Sequence, residues 1–243
     1  MPSRSVSLAV LLPPSEGKAE GGCGPAWSAT DGVFGEALGK QRVQVVKALA
    51  QARGGNQQLL GVGGALLTRA QSANTALLGA PTLPAAERYT GVVWDHIGLR
   101  TLTAAARRRA ATSVIVVSGL HGLLALDDPI PDYRLKTGAS LKPMGKLSTW
   151  WRGPLSAVLN DHLRDRYVVD LLPHEHRAAW VPHGVRGVSV TFVERDGKVA
   201  GHDAKAAKGR LVRHLLVTGG RPAAALASWT DARFDLLLSP LGG

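Results

Sequence analysis

A carboxylate and a lysine follow directly after the first apolar run of the chain. The run extends from Val6 to Leu12, two prolines stop it, and the next residues read Ser-Glu-Gly-Lys, with Glu16 and Lys18 as the charged pair. A lysine withdrawn from water has a lowered pKa and can attack a carbonyl carbon, whereas a charged lysine can hold a phosphate. An exposed loop lysine is the structural alternative. The spacing Gly-x4-Gly-Lys-Ser/Thr is absent, which excludes a nucleotide-binding P-loop.

A second group of charged residues follows a second apolar run. Residues 114–117 are Val-Ile-Val-Val, which is typical of a strand buried on both faces, and Ser118 and Gly119 end the run. Open α/β sheets bind ligands at the carboxyl ends of such strands, where turn amides are free. A tight turn followed by a solvated edge is the alternative. Three side chains beyond the turn point to one side if that segment is extended, namely Asp132, Arg134 and Lys136.

Both stretches resemble blocks of the YaaA family of bacterial peroxide-stress proteins. The segment from Ser118 to Gly138 contains Ser-Gly-Leu-aromatic-Gly-Leu, then proline and Tyr133-Arg134-Leu135, and is similar to the family's signature block. Residues 11–18 resemble its amino-terminal strand followed by Ser-Pro-Ala-Lys-Thr. This match places the lysine of the motif on Lys18.

Further blocks occur in the order that the family has. Tyr89-Thr90-Gly91 resembles its Tyr-Thr-Gly, and the segment from Lys205 to Arg213 resembles its basic helix. The segment Asp170–His176 departs from the family's Asn-Leu-Ala-Ser-x-Glu-Tyr and keeps only the leucine and the glutamate. The tip of the basic helix, Lys208-Gly209-Arg210, is also rearranged. The chain is therefore identified as a divergent member of the family.

The resemblance implies a YaaA-type fold, a single α/β (α+β) domain over residues 1–243 with a mixed β-sheet flanked by helices and a basic cleft. The composition suits this, since 45% of the residues are hydrophobic. The net charge of +11 favours a polyanionic partner such as nucleic acid. The single Cys23 excludes an internal disulfide and fits a cytoplasmic location. No apolar run reaches the length of about 18 residues that a membrane span requires.

The first functional hypothesis implied by the resemblance is a cytoplasmic DNA-binding protein linked to peroxide stress and DNA repair. Glycines between residues 61 and 64 join two helical segments. They resemble a helix-hairpin-helix, which YaaA relatives carry and whose amides hold a DNA phosphate. A plain glycine turn is the alternative. The predicted contacts with nucleic acid are Lys18, Gly61, Gly63, Arg69, Ser118, Gly119, Tyr133, Arg134, Lys136, Lys205, Lys208, Arg210 and Arg213.

The second hypothesis is an enzyme that acts on a nucleobase, a nucleoside or damaged DNA in the manner of a glycosylase or lyase. Lys18 would be the nucleophile or acid, with Glu16, Asp132 or Glu175 as general base. Binding of RNA is a third alternative, which the sequence does not separate from DNA binding. No cofactor is predicted. His-Glu-His at 174–176 lacks the spacing of a zinc motif, so no metal site is expected either.

Apolar spacing predicts the other elements of secondary structure. Helices are expected over residues 36–53, 96–110 and 203–218, and another from residue 147 with a break or a new start at Pro154. A strand is expected at 167–172. Residues 187–201 are expected to form a hairpin that turns at Asp196-Gly197.

Overall fold

Helices surround a six-stranded mixed sheet, which confirms the predicted α/β class. The structure is a computed structural model that describes residues 6–195 and 204–242. Its strands are β1 (Ser7–Leu12), β2 (Gly24–Ala26), β3 (Pro81–Pro84), β4 (Val114–Ser118), β5 (Gly122–Ala125), β6 (Pro129–Ile130), β7 (Ser140–Leu141), β8 (Gly145–Lys146), β9 (Arg166–Asp170), β10 (Arg186–Glu194) and β11 (Phe234–Pro240). Its helices are α1 (Gly35–Gln51), α2 (Gln57–Leu60), α3 (Gly64–Thr75), α4 (Ala85–Arg88), α5 (Val92–Ile97), α6 (Ala104–Ser113), α7 (Leu147–Leu163), α8 (His174–Arg177), α9 (Ala204–Thr218) and α10 (Pro222–Ala227).

The central sheet has the strand order β11-β10-β9-β1-β4-β5. Strand β1 lies parallel to both β4 and β9, and β10 lies parallel to β9. The two edge strands, β5 and β11, run antiparallel to their neighbours. Interior parallel strands are buried on both faces, which explains why β1 and β4 are almost uninterrupted apolar runs.

Two groups of helices cover the sheet. Helices α1 and α7 pack against each other and against β5, and α7 also contacts β9. Helices α5, α6 and α9 form the second group, in which α6 contacts β1. No helix in the described part of the chain is long and apolar enough to cross a membrane.

The helix predicted over residues 96–110 is wrong in its bounds. The segment instead contains α5, a 3-10 turn at Leu99–Thr101 and α6. Gly98 ends α5 in the left-handed conformation with φ of 60°, which glycine adopts without steric cost. Thr103 then starts α6, because its side chain accepts a hydrogen bond from the amide of Ala106.

Helix α7 continues through Pro154, so the predicted break is also wrong. A proline inside a helix removes one backbone hydrogen bond. Trp151, Leu155 and Leu159 are all fully buried on the core side of the same helix. Their burial outweighs the lost bond, since helices in proteins are held mainly by packing of their apolar face.

Strand β10 confirms the first half of the predicted hairpin, but its described partners are β9 and β11. The predicted turn at Asp196-Gly197 and the returning residues 198–201 lie outside the described residues. The start of the helix predicted over 203–218 does so as well, and its described part is α9.

A buried arginine joins α1 to the β4–β5 hairpin. Arg42 is fully buried, and its guanidinium donates to the carbonyl of His121 at 2.9 Å and to that of Leu123 at 2.9 Å. It also donates to the carbonyls of Ala29 at 3.2 Å and Asp31 at 2.7 Å. One side chain thus donates to four backbone acceptors.

We expect Arg42→Met to lower the free energy of unfolding by about 3 kcal/mol, because the substitution removes the hydrogen bonds that the guanidinium donates to these carbonyls. Chemical denaturation measures the loss. The control is Lys40→Met, which makes the same apolar replacement at an exposed position of the same helix. Equal stabilities of the two variants would contradict the structural role of Arg42.

Candidate functional site

Three strand ends meet at one edge of the central sheet. Because β4, β1 and β9 are parallel neighbours, their carboxyl ends lie side by side. The chain leaves β1 toward Lys18, ends β4 at Ser118 and ends β9 at Asp170. This edge is where open α/β sheets place their ligands.

The loop that carries Lys18 is fixed by the segment around Tyr89. Lys18 and Tyr89 form an isolated antiparallel bridge. The amide of Thr90 donates to the carbonyl of Gly17 at 3.1 Å, and the amide of Ala19 donates to the carbonyl of Arg88 at 2.8 Å. A Cβ at Gly17 would lie 2.9 Å from the hydroxyl oxygen of Thr90, so the two segments approach each other closely.

The Lys18 amine contacts a backbone carbonyl and the face of an aromatic ring. Its Nζ donates to the carbonyl of Ser15 at 2.8 Å and lies 4.3 Å from the ring centroid of Tyr133. Burial lowers the pKa of Lys18 to about 7; the negative charge of Asp132 opposes this shift and the positive charge of Arg134 adds to it. A lowered pKa favours the neutral form of the amine, which is the nucleophilic one.

The ring beneath this amine is held by a buried chain of hydroxyl groups. The hydroxyl of Tyr133 lies 2.8 Å from that of Tyr89 and 2.8 Å from the Oγ of Ser118. The Ser118 oxygen also accepts from the amides of Leu120 and His121, both at 3.3 Å. Burial raises the pKa of Tyr133 to about 12, so its hydroxyl stays protonated.

This arrangement differs from the predicted role of the turn after β4. Ser118 and Gly119 are buried, which leaves them no surface for contact with nucleic acid. The turn amides at 120 and 121 are not free for a ligand, because the Ser118 side chain accepts from them. Tyr133 is 2% exposed, and the face of its ring lies toward the Lys18 amine.

The alternation expected from Asp132 to Lys136 is present, although the segment is not a strand. Tyr133 and Leu135 are buried, and the three charged side chains between and beside them are partly exposed. Arg134 and Lys136 both pair with Glu16, at 2.9 Å and 3.3 Å. Partial burial alone would raise the pKa of Glu16, but the charges and hydrogen bonds of the two cations outweigh it and lower that pKa.

Arg69 joins the cluster from helix α3. Its guanidinium pairs with Asp132 at 2.9 Å and with Glu20. Arg134 is likewise anchored, since it donates to the carbonyl of Leu60 at 3.0 Å. The predicted phosphate ligands of this region therefore already hold protein groups.

A cavity of about 190 Å³ opens beside Lys18. One wall is polar and includes Glu16, Asp132 and Arg134. Helix α3 supplies another wall, because the spacing of i, i+3, i+4 and i+7 places Leu66, Arg69, Ala70 and Ala73 on one side of the helix, with Leu66 still largely exposed. That spacing is visible in the sequence, and it is the signal by which the wall could have been found. A smaller cavity of about 40 Å³, lined in part by Glu175 and His176, adjoins Lys18 as well.

The basic helix α9 lies mostly engaged with the protein. Lys208 donates at 2.5 Å to the carbonyl just after β9. Arg210 pairs with Asp231 at 2.5 Å, and Arg213 donates to the last carbonyl of α5 and the next one at 3.0 Å and 3.1 Å. Lys205 is exposed. The structure thus leaves Lys205 open to a ligand and gives the other three internal partners.

The Gly61–Gly63 turn is open to solvent between α2 and α3. Gly61 ends α2 with φ of 65°, and both Gly61 and Gly63 are exposed.

Among the described residues, no group of three or more His, Cys, Asp and Glu side chains could hold a metal ion.

A family model described as peroxide stress protein YaaA matches residues 8–237. The chain belongs to this YaaA family. It is similar to a UPF0246 protein of Streptomyces coelicolor, with 41% identity over 223 residues, 88% of this chain and 85% of the relative. UPF0246 proteins of Corynebacterium efficiens and Corynebacterium glutamicum are 32% and 35% identical, and the matches cover 92% and 87% of this chain and 91% and 86% of the relatives. The membership that the sequence predicted is confirmed.

Three YaaA blocks recognised in the sequence converge on one point of the fold. The lysine block supplies Lys18, the Tyr-Thr-Gly block supplies Tyr89, and the signature block supplies Ser118 and Tyr133. The departing segment Asp170–His176 lies at the neighbouring strand end and contributes to the smaller cavity.

We expect the ε-carbon of Lys18 to titrate near pH 7 in a ¹³C-lysine NMR experiment. Asp132→Asn should lower this pKa, because it removes a negative charge that favours the ammonium form. Asp127→Asn, at an exposed position of a different segment, is the control and should leave it unchanged. A wild-type titration above pH 9 would contradict the burial of the amine.

Proposed function

We propose that this chain is a DNA-binding protein of the peroxide stress response, which holds the phosphate backbone at the start of α3 and presents the bound strand to Lys18. The observation that carries the proposal is the position of α3. Its first turn faces solvent, while the inward side of the same helix lines the Lys18 cavity.

The amino terminus of α3 has the properties of an anion site. The first amides of a helix lack partners within the helix, and the helix dipole adds positive potential there. No side chain caps α3, and Gly63, Gly64, Ala65 and Leu66 are all exposed. A Cβ at Gly64 would meet nothing within 4 Å, so a phosphate can approach the backbone freely.

The order of elements around this site supports contact with DNA. A short helix, a glycine turn and a second helix follow one another in α2, Gly61–Gly63 and α3, as in a helix-hairpin-helix. The net charge of +11 favours a polyanion. Such contacts are to the backbone, so binding is expected to tolerate changes in base sequence. The description of the family as a peroxide stress protein fits a role in oxidatively damaged DNA.

Ala65→Glu tests the phosphate site. A carboxylate in the first turn of a helix favours the fold but repels a phosphate, so we expect affinity for a labelled DNA duplex to fall on the order of tenfold without loss of stability. Fluorescence anisotropy measures the affinity. The matched control is Ala37→Glu, which adds the same charge to the exposed first turn of α1. Equal loss in both variants would contradict a site at α3.

The salt dependence of binding separates exposed from engaged cations. The logarithm of affinity should fall by about 0.9 per phosphate neutralised for each unit in the logarithm of salt concentration. We expect Lys205→Ala to reduce this slope by about 1. Arg213→Ala should instead lower the melting temperature, because its guanidinium holds backbone carbonyls. Full affinity at several hundred millimolar salt, or tighter binding of an RNA duplex, would contradict the proposal.

A further inference from the structure

Lys18 is held by more contacts than a lysine that only binds phosphate needs. A lysine that only binds phosphate works best as a charged, hydrated ammonium on a mobile stem. The Lys18 amine instead donates to the carbonyl of Ser15 and lies 5.6 Å and 4.3 Å from the ring centroids of Tyr89 and Tyr133. Arg134 and Lys136, the cations beside it, are instead paired with Glu16. The geometry therefore suits an amine that reacts.

The cavity limits what can reach the amine. Its volume of about 190 Å³ is smaller than the roughly 300–1,000 Å³ of sites that enclose a drug-sized ligand. A sugar without its base is a small group, whereas a whole nucleotide is a large one. The two walls also differ, since Leu66, Ala70 and Ala73 are apolar and Asp132 and Arg134 are charged. A deoxyribose without its base has both a polar reacting centre and a less polar ring edge, so it could contact both walls.

We propose that Lys18 is the nucleophile of a lyase reaction on DNA, in which its amine condenses with the aldehyde carbon of a deoxyribose that has lost its base. This inference rests on the proposed function, because DNA bound at α3 brings its sugar to the cavity. The same carbonyl chemistry applies to a free deoxyribose phosphate, and the experiment below separates the two sources.

The bonds and protons balance without an oxidant or a reductant. The Nζ lone pair attacks C1′, and the oxygen of the resulting carbinolamine leaves as water after protonation. The protonated imine makes the proton on C2′ acidic, and a carboxylate can accept that proton. The electron pair of the C2′–H bond then forms a double bond as the 3′-phosphate leaves. Water finally hydrolyses the imine and restores the amine.

Asp132 is the carboxylate we assign to proton acceptance, since it lines the cavity with Lys18 and is the carboxylate with the larger effect on the pKa of that lysine. The positive imine keeps the stabilisation that the ring face of Tyr133 gives to a cation. The charged and titratable groups that face Lys18 are Glu16, Arg88, Tyr89, Asp132, Tyr133, Arg134 and His121.

Borohydride trapping tests the proposal directly, because reduction of the imine leaves a stable covalent adduct. The wild-type protein and a duplex with one abasic site are expected to give an adduct that mass spectrometry places on Lys18. Lys18→Arg should abolish it, since a guanidinium stays protonated and forms no imine. Lys40→Arg makes the same change at an exposed lysine of α1, away from the cavity, and should trap normally. An adduct that persists in Lys18→Arg would overturn the proposal.

The pH profile provides a readout that folding defects do not imitate. Trapping should rise with pH and level off near pH 7, the pKa of the amine, whereas an ordinary lysine would continue to gain toward pH 10. Asp132→Asn should still trap but cleave the strand more slowly. Equal cleavage by this variant and the wild type would remove Asp132 from the mechanism. Thermal melts verify that each variant is folded.

Two parallel measurements distinguish failure of this inference from failure of the proposed function. Anisotropy with an intact duplex tests binding alone, and trapping with deoxyribose 5-phosphate tests the amine alone. Binding of DNA with no adduct on either aldehyde would overturn the lyase and leave the binding function. An adduct with the small aldehyde but no binding of DNA would overturn DNA as the substrate and, with it, the proposed function.

Discussion

The hydrogen bonds among the hydroxyl groups of Tyr89, Tyr133 and Ser118 join three distant parts of the chain at one buried point. A buried hydroxyl that loses its partner costs about 1–3 kcal/mol, so the three groups are stable only together. Their connection fixes the ring of Tyr133, and the ring fixes one side of the space that the Lys18 amine occupies. The chemistry of this amine thus depends on a network that does not include its nitrogen.

The net charge of +11 does not show how positive and negative side chains are distributed around Lys18. Glu16 holds two cations, and Asp132 holds a third that comes from α3. These pairs lie close to Lys18 and leave its surroundings nearly balanced, so burial rather than repulsion is the main cause of its low pKa. The excess positive charge lies elsewhere, including the exposed Lys205. In the proposed function, attraction of a polyanion and activation of an amine would therefore depend on different parts of the molecule.

The sequence allowed prediction of features that depend on local pattern. The buried strands β1, β4 and β9 have apolar runs, and the alternation from residue 132 to 136 gives one charged side. Partners distant in the chain were beyond such reasoning, as the pairing of Arg134 with Glu16 shows. The split between α5 and α6 was missed because apolar spacing continues across Gly98. Arg42 was overlooked although it interrupts the apolar face of α1, and its four acceptors are main-chain groups that no side-chain pattern records.

The cavity beside Lys18 also affects how readily carbonyl compounds can modify this amine. An amine of lowered pKa reacts more readily than an ordinary lysine with the small dicarbonyls that sugars release. A space of about 190 Å³ is large enough for dicarbonyls of two or three carbons. Such compounds form permanent products with amines. Glycation of Lys18 would therefore remove the amine on which the proposed lyase reaction depends.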